Sequence, residues 1–340
     1  MGAEDDQGVP VECYKHYLGR RPQVTWGAEM GERNLTFLRG LDPHYFVHIA
    51  ETQAPLLETE SRQYAAATIR VAYGQALETL MAVLGATLQA PGCPLGWMVS
   101  YQNNELRQVI EDLVTSPSGL SHTTWDLGSK PLLRLAGAVL EPAGWPADEL
   151  NRRALLFSQA WSRWCHEFLD EISKAEFNAM KHGTRTQLGG FSFSIGYETA
   201  PGVAADLATM RTLGASEFGS TFAVPVKLQG RLHQTSRTVS RNWLPVAMVH
   251  SLHIMAASIT NIVSFLRIRA GDDPTTCRYE FFSNDSVFER ACDRPGVHTI
   301  SGFAPEVTRE HITAWTGAEV DMELREDHER FLASRKDSGE

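Results

Sequence analysis

LLFSQAWSRWCHEFLDEISKAEFNAMKHG, residues 155–183, is the stretch whose reading decides the fold. It predicts one long amphipathic helix. Trp161, Trp164, Cys165, Phe168, Ile172, Ala175 and Ala179 recur at three-, four- and seven-residue steps or close to them, which places them on one stripe of a 3.6-residue period. Glu171, Asn178 and His182 run along one edge of that stripe. Gly183 suits the left-handed residue that ends a helix. Lys181 and His182 put positive charge in the last turn, where the helix dipole favours it.

Working outward, a second helical pattern starts near Thr52 and runs through ESRQYAAATIRVAYGQALETLMAVLGATLQ. Ala66, Ile69, Tyr73, Leu77, Leu80 and Leu84 form its apolar face. Gly74 within it costs about 1 kcal/mol relative to Ala, a cost explained by close approach of another helix. Arg70 flanks the apolar face, where a charge needs a partner or a route to water. PGCPLGW at 91–97 stops the pattern, and Tyr101–Val114 and Leu132–Leu140 read as shorter helices. Residues 1–45 are rich in Gly, Pro and charge, which predicts irregular structure packed on the body.

Beyond Gly183 the pattern changes. GGFSFSIGYET (189–199) and GSTFAVPVKLQG (219–230) alternate as strands do, with Pro225 marking an edge or a bulge. Ala204–Thr212 reads as a short helix, and 277–283 and 297–303 as further strands. Trp243–Leu266 carries no Lys, Arg, Asp or Glu and is long enough to span a bilayer. Its two sides differ, however: His250, His253, Thr260, Asn261 and Ser264 oppose a row of Met, Leu and Ile. A buried helix of a soluble protein is the expectation, with no membrane partner. The fold class is therefore α+β, mainly α. A helical bundle fills 1–186, a mixed part with a few strands and one long buried helix fills 187–340, and the two can share one core.

Composition sets limits on function. The 340 residues are 43% hydrophobic, enough for a real core, and the net charge of −10 argues against a general nucleic-acid coat. The five cysteines are scattered without zinc spacing, which predicts reduced thiols and a cytoplasmic chain. The acidic start, MGAEDDQGVP, is unlike a signal peptide. No P-loop, GxGxxG or GxSxG is present, so no cofactor is expected. His250 and His253 lack a third ligand, and no Glu-x-x-His accompanies Glu60 or Glu78, so no metal is expected either.

Two sets of residues are candidates for a site. Asn178 and His182 are four residues apart and face the same way. With Lys181 and Arg185 they can hold a phosphate, with His182 as general acid or base; the plainer reading is a helix-terminal cap. The second set is a local basic excess. Residues 218–271 hold no acid but carry Lys227, Arg231, Arg237, Arg241, Arg267 and Arg269, a surface for RNA or another anionic ligand. The plainer reading pairs that stretch with the acidic tail, Glu319 to Glu329.

A helix ending in N-x-x-K-H-G, with an aromatic-rich stripe before it and a long helix upstream, resembles HEPN-type helical domains over about residues 52–185, about 40% of the chain. The resemblance implies a small helical bundle whose final helix carries an Arg followed four to six residues later by His. It also implies pairing of two copies about one cleft, and metal-independent RNase activity of the toxin or defence type. His182 matches the motif His. The Arg is absent, since positions 175 to 177 hold Ala175, Glu176 and Phe177, and Arg70 is the nearest substitute if its helix faces His182. The leading expectation is a non-catalytic binding or assembly module on a degenerate HEPN-like bundle, a homodimer through the apolar stripes of its two long helices. The alternative is an RNase in which His182 is the acid or base, Asn178 orients the substrate, and Lys181 or Arg70 steadies the charge.

Overall fold

KHYLGRRPQV already contains the ingredients of a hairpin, and in the computed structural model Gly19 turns it, at a φ of 63° that glycine adopts without steric cost. The strands on either side are β1 (Cys13–Leu18) and β2 (Arg21–Trp26), paired antiparallel from Leu18 opposite Arg21. A helix, α1 (Met30–Gly40), follows, so the predicted irregular segment holds regular structure over its described part. The structure describes residues 13–27, 29–115, 122–123, 125–182, 185–198, 200–229, 233–294, 296–303 and 315–337.

The pattern from Thr52 is divided. Helix α2 (His44–Gln53) ends in a 3-10 turn over Ala54–Glu58, and α3 (Arg62–Gln89) then runs for 28 residues. Short α4 (Pro94–Met98), α5 (Asn103–Thr115) and α6 (Pro131–Leu140) come next. The predicted central helix is two helices, α7 (Ala147–Leu169) and α8 (Glu171–Lys181). Asp170 breaks it with an extended ψ of 122° and caps α8, its Oδ2 accepting from Ser173 N at 2.8 Å and Ser173 Oγ at 2.7 Å. Arg107 of α5 stabilises the break from the other side. Its guanidinium donates to the terminal carbonyls of Phe168 and Leu169, both at 2.7 Å, which satisfies groups that a helix end otherwise leaves open.

The strands that follow are β3 (Thr186–Leu188), β4 (Ser192–Ile195), β5 (Arg211–Ala215), β6 (Gly219–Gln229) and β7 (His233–Asn242). After them come α9 (Pro245–Arg269), α10 (Ser286–Arg290), β8 (Thr299–Ser301) and α11 (Gly317–Asp337). A four-stranded antiparallel sheet has the order β3-β6-β7-β8, and β4 pairs β5 separately. Pro225 faces Ser236 of β7, while β3 reaches only Ser220–Phe222, so the proline sits on an open edge as its missing N–H requires. The Ala204–Thr212 helix reduces to one 3-10 turn at Leu207–Thr209 running into β5.

The 277–283 stretch is extended but forms no strand. Its backbone is bound by α9: Asn261 Nδ2 donates to Glu280 O (2.9 Å), Asn261 Oδ1 accepts from Glu280 N (2.7 Å), and Ser264 Oγ donates to Arg278 O (2.6 Å). Asn261 and Ser264 on the polar side of α9 thus bind a neighbouring segment inside the molecule, and Ser258 likewise accepts from Trp161 Nε1 at 2.9 Å. Helices α3 and α9 are long and apolar enough to cross a membrane by length and composition. Both have 72% of the apolar window buried within the chain. They pack together at the centre, and one large core runs from Leu18 through Leu80 and Trp161 to Leu266 and Ala291. No core boundary falls at 186, and the chain is α+β, mainly α.

Candidate ligand-binding site

Helix α8 lies on the sheet, and its inner face carries Ser173, Glu176 and Ala179. Ala179 packs with Phe222 and Val239 in a small apolar cluster. Glu176, nearly one turn earlier, takes a charge into the interior and is completely buried. Its Oε2 accepts from Arg70 Nη2 at 2.6 Å and from Arg241 Nη1 at 3.1 Å. Its Oε1 accepts from Ser220 Oγ at 2.6 Å and Trp243 Nε1 at 2.7 Å. Burial alone would raise the pKa, but Arg70 and Arg241, then Ser220 and Trp243, hold it down at about 2. The carboxylate is ionised and fully satisfied, which is the condition for a buried ion cluster to persist.

A second carboxylate, Glu167, projects from the last turn of α7. Tyr73 of α3 donates to its Oε2 at 2.7 Å, Arg70 Nη1 stands 3.6 Å from its Oε1, and half-exposed Arg294 approaches to 3.9 Å. Against the effect of burial, Arg70 lowers the Glu167 pKa, whereas burial and then Glu167 push the Tyr73 phenol far above its ordinary value. The close approach that brings α8 to α3 uses Gly74, where an added Cβ would lie 2.3 Å from the Phe177 ring.

Arg241 is the hinge between this cluster and the open space beside it. Its Nη1 also donates to Ser173 Oγ at 2.9 Å, and its Nη2 meets His298 Nε2 at 2.6 Å. A guanidinium has no lone pair to offer, so His298 Nε2 accepts and its proton is assigned to Nδ1. Burial, followed by Arg241, drops the His298 pKa to about 4, so the ring is neutral at pH 7. Two buried nitrogens, Arg241 Nε and His298 Nδ1, then have no acceptor among the described residues. Leaving such a donor unpartnered costs about 1–3 kcal/mol.

Both residues line a cavity of about 420 Å³, whose walls also include Arg163 and Glu167 of α7, Ser173 of α8 and Arg294. Voids of about 70 and 50 Å³ lie on the α3 side, each bordered by Arg70, Tyr73 and the same Glu167. Among the described residues Arg163 Nη1 donates to Ala291 O at 2.5 Å. Three arginines share the lining with His166, His298, Ser173, Thr299 and two acids, Glu167, which Tyr73 and Arg70 engage, and Asp170, which caps α8.

The residues singled out from sequence are dispersed. His182 is exposed at the end of α8, and Lys181 pairs with Glu78 of α3 at 3.4 Å. Asn178 borders the 70 Å³ void, and exposed Arg185 bonds back through its N–H to Ala179 O at 2.9 Å. Arg70 is held in the interior by Glu176 and Glu167, so it does not complete a motif with His182. The basic stretch also divides. Arg241 is buried on Glu176, Arg267 pairs with Asp272 at 2.8 Å, and Arg269 lies over Trp125 and Phe265. Lys227 is exposed on β6 and Arg237 half-buried on β7, while Arg231 and Gly183 lie outside the described residues. Among the described residues the ion pairs of α11 are internal, Arg325 with Asp321 and Arg330 with Asp327, and none reaches the basic stretch. The apolar stripes that suggested a dimer face are largely buried within the chain, as Leu80, Leu84, Trp161 and Trp164 show.

Glu167, Glu176, Tyr73, Arg163, Arg294 and His298 were not legible as site residues. The available signal was a charge set among apolar residues on a helix, as for Arg70; Glu176 offers the same signal beside Ala175 and Ala179. No protein-family model, curated protein or solved structure matches the chain.

Proposed function

We propose that this chain is a non-catalytic binding module that takes a small polar ligand into the cavity between α7, α8, β7 and the side chains of Arg294, His298 and Thr299. The HEPN-like resemblance enters as a degenerate scaffold only: the motif Arg is missing and Arg70 is committed to Glu176.

The observation that carries the reading is the state of the buried ionisable groups. A general acid or base works best with a pKa near the working pH. At this junction Glu176 is held at about 2, His298 at about 4, and Tyr73 far above its ordinary value. Each of these three is fixed in one protonation state around neutrality, which suits recognition by permanent charges. His182, on which the nuclease reading depends, stands outside this cavity.

Incubating the purified protein with single-stranded RNA in chelator tests the proposal. The expected result is intact RNA. Cleavage by wild type that disappears in a normally melting His182→Ala variant would overturn it in favour of the RNase.

A further inference from the structure

We infer that residues 277–281 are the contact between two copies of this chain, which pair there as antiparallel strands about a two-fold axis at Tyr279. The inference is independent of the ligand cavity.

The backbone of this extended segment is only half used. Glu280 N–H donates to Asn261 Oδ1, Glu280 O accepts from Asn261 Nδ2, and Arg278 O accepts from Ser264 Oγ, all on α9. In an extended chain the backbone groups of successive residues point to opposite edges, so Tyr279 and Phe281 direct theirs away from α9. Among the described residues nothing bonds to the N–H or the C=O of either. The result is an open edge on a segment that α9 already holds in place, the template on which a further strand adds.

The side chains along this edge are suited to burial. Phe281 is 45% exposed, yet it is held firmly. Its ring centroid lies 5.5 Å from that of Trp145, and the Arg153 guanidinium stands 3.4 Å from its centre. Tyr279 packs on the same Trp145 at 6.5 Å. Aromatic side chains fixed before association have little freedom left to lose.

Charge selects both the occupant and the register. Arg278 is exposed and has no ion pair among the described residues. Glu280 shares its face of the segment and meets His44 Nε2 at 3.1 Å. Pairing about Tyr279 sets Arg278 of each copy opposite Glu280 of the other, giving two opposite-charge pairs across the strands. These fall at non-hydrogen-bonded positions, where side chains approach most closely, while the two Tyr279 residues exchange backbone bonds. Moving the axis to Glu280 would put the two glutamates face to face, and moving it to Phe281 would separate Arg278 from Glu280. A segment complementary to itself in one register fits a second copy, since a two-fold interface brings the same patch from both.

The test is sedimentation equilibrium of the full chain over a concentration series. Wild type is expected to show a monomer–dimer equilibrium. The Arg278 side chain makes no bond among the described residues, so Arg278→Glu is expected to melt as wild type does. It should dimerise about tenfold more weakly, because like charges then stand directly opposite. Combining Arg278→Glu with Glu280→Arg reverses both pairs and is expected to restore most of the wild-type affinity. In wild type, amide exchange at Tyr279 and Phe281 should slow as the dimer fills. A wild type that stays monomeric, or a dimer that Arg278→Glu leaves intact, would overturn the interface. Weakening that the double variant does not repair would overturn the register on which the inference rests. Exchange at Tyr279 and Phe281 that ignores concentration in a dimerising sample would place the contact elsewhere and overturn it as well.

Discussion

Removing the Glu176 carboxylate would leave Arg70 and Arg241 buried without their shared counter-charge. Breaking a buried ion cluster in this way costs about 3–5 kcal/mol, so Glu176→Ala is expected to lose that much in urea unfolding. A loss below about 1 kcal/mol would mean the cluster contributes little. His298 gives a pH dependence of definite sign. Its folded pKa of about 4 lies below the ordinary value of about 6.5, so the unfolded chain takes up the proton first. Stability is then full above about pH 6.5 and falls toward pH 4, on the order of 2 kcal/mol. Burial is the largest cause, followed by Arg241, Arg70 and Arg294, with Glu167 opposing them. Glu176 acts below it: its depressed pKa contributes above about pH 4.3 and is lost as the pH falls toward 2. A thermal-melt series from pH 8 to 2 should show both steps, and His298→Gln should flatten the upper one. At this scale the sequence was partly legible. Arg70 was recognisable as a charge needing a partner, but the partners, Glu176 and Glu167, stand about a hundred positions away, and no local spacing identifies them.

At the scale of elements, the contact between α3 and α8 depends on Gly74. Gly74→Ala would place a methyl group 2.3 Å from the Phe177 ring, and overpacking of this kind costs about 1–3 kcal/mol. Denaturant unfolding should show the loss, and Phe177→Leu in the same chain should recover part of it through pairwise coupling. The close approach at Gly74 was readable from a glycine in mid-helix. The break at Asp170 was not read, because one extended residue barely disturbs a helical apolar period; the local signal was Asp170 followed three residues later by Ser173, an N-cap pattern. The 277–283 segment has strand-like composition but finds its hydrogen-bond partners on Asn261 and Ser264 rather than on another strand. Only tertiary context separates those outcomes.

For the whole molecule, a boundary near 186 followed from the change from helical to strand patterning, yet α9 from the second half fills the centre against α3. Residues 1–186 expressed alone therefore lack the partner for Leu80, Leu84 and Trp161. They are expected to give an expanded or aggregating product without cooperative melting. A sharply melting, soluble fragment would restore two independent domains. The mainly helical α+β class was legible because periodicity reports it directly. The position of the site was not, because it arises where α3, α7, α8 and the sheet meet Arg294, His298 and Thr299.

The most direct test of the cavity as the working site is a thermal-melt screen of small polar compounds, anionic and neutral, on wild type and Arg294→Ala. A ligand that binds only the folded state raises its stability by mass action. The expected result is at least one compound that raises the wild-type midpoint by several degrees and the variant's by less than one. Compounds that shift both proteins equally, or none that shifts wild type, would contradict a ligand site at this junction.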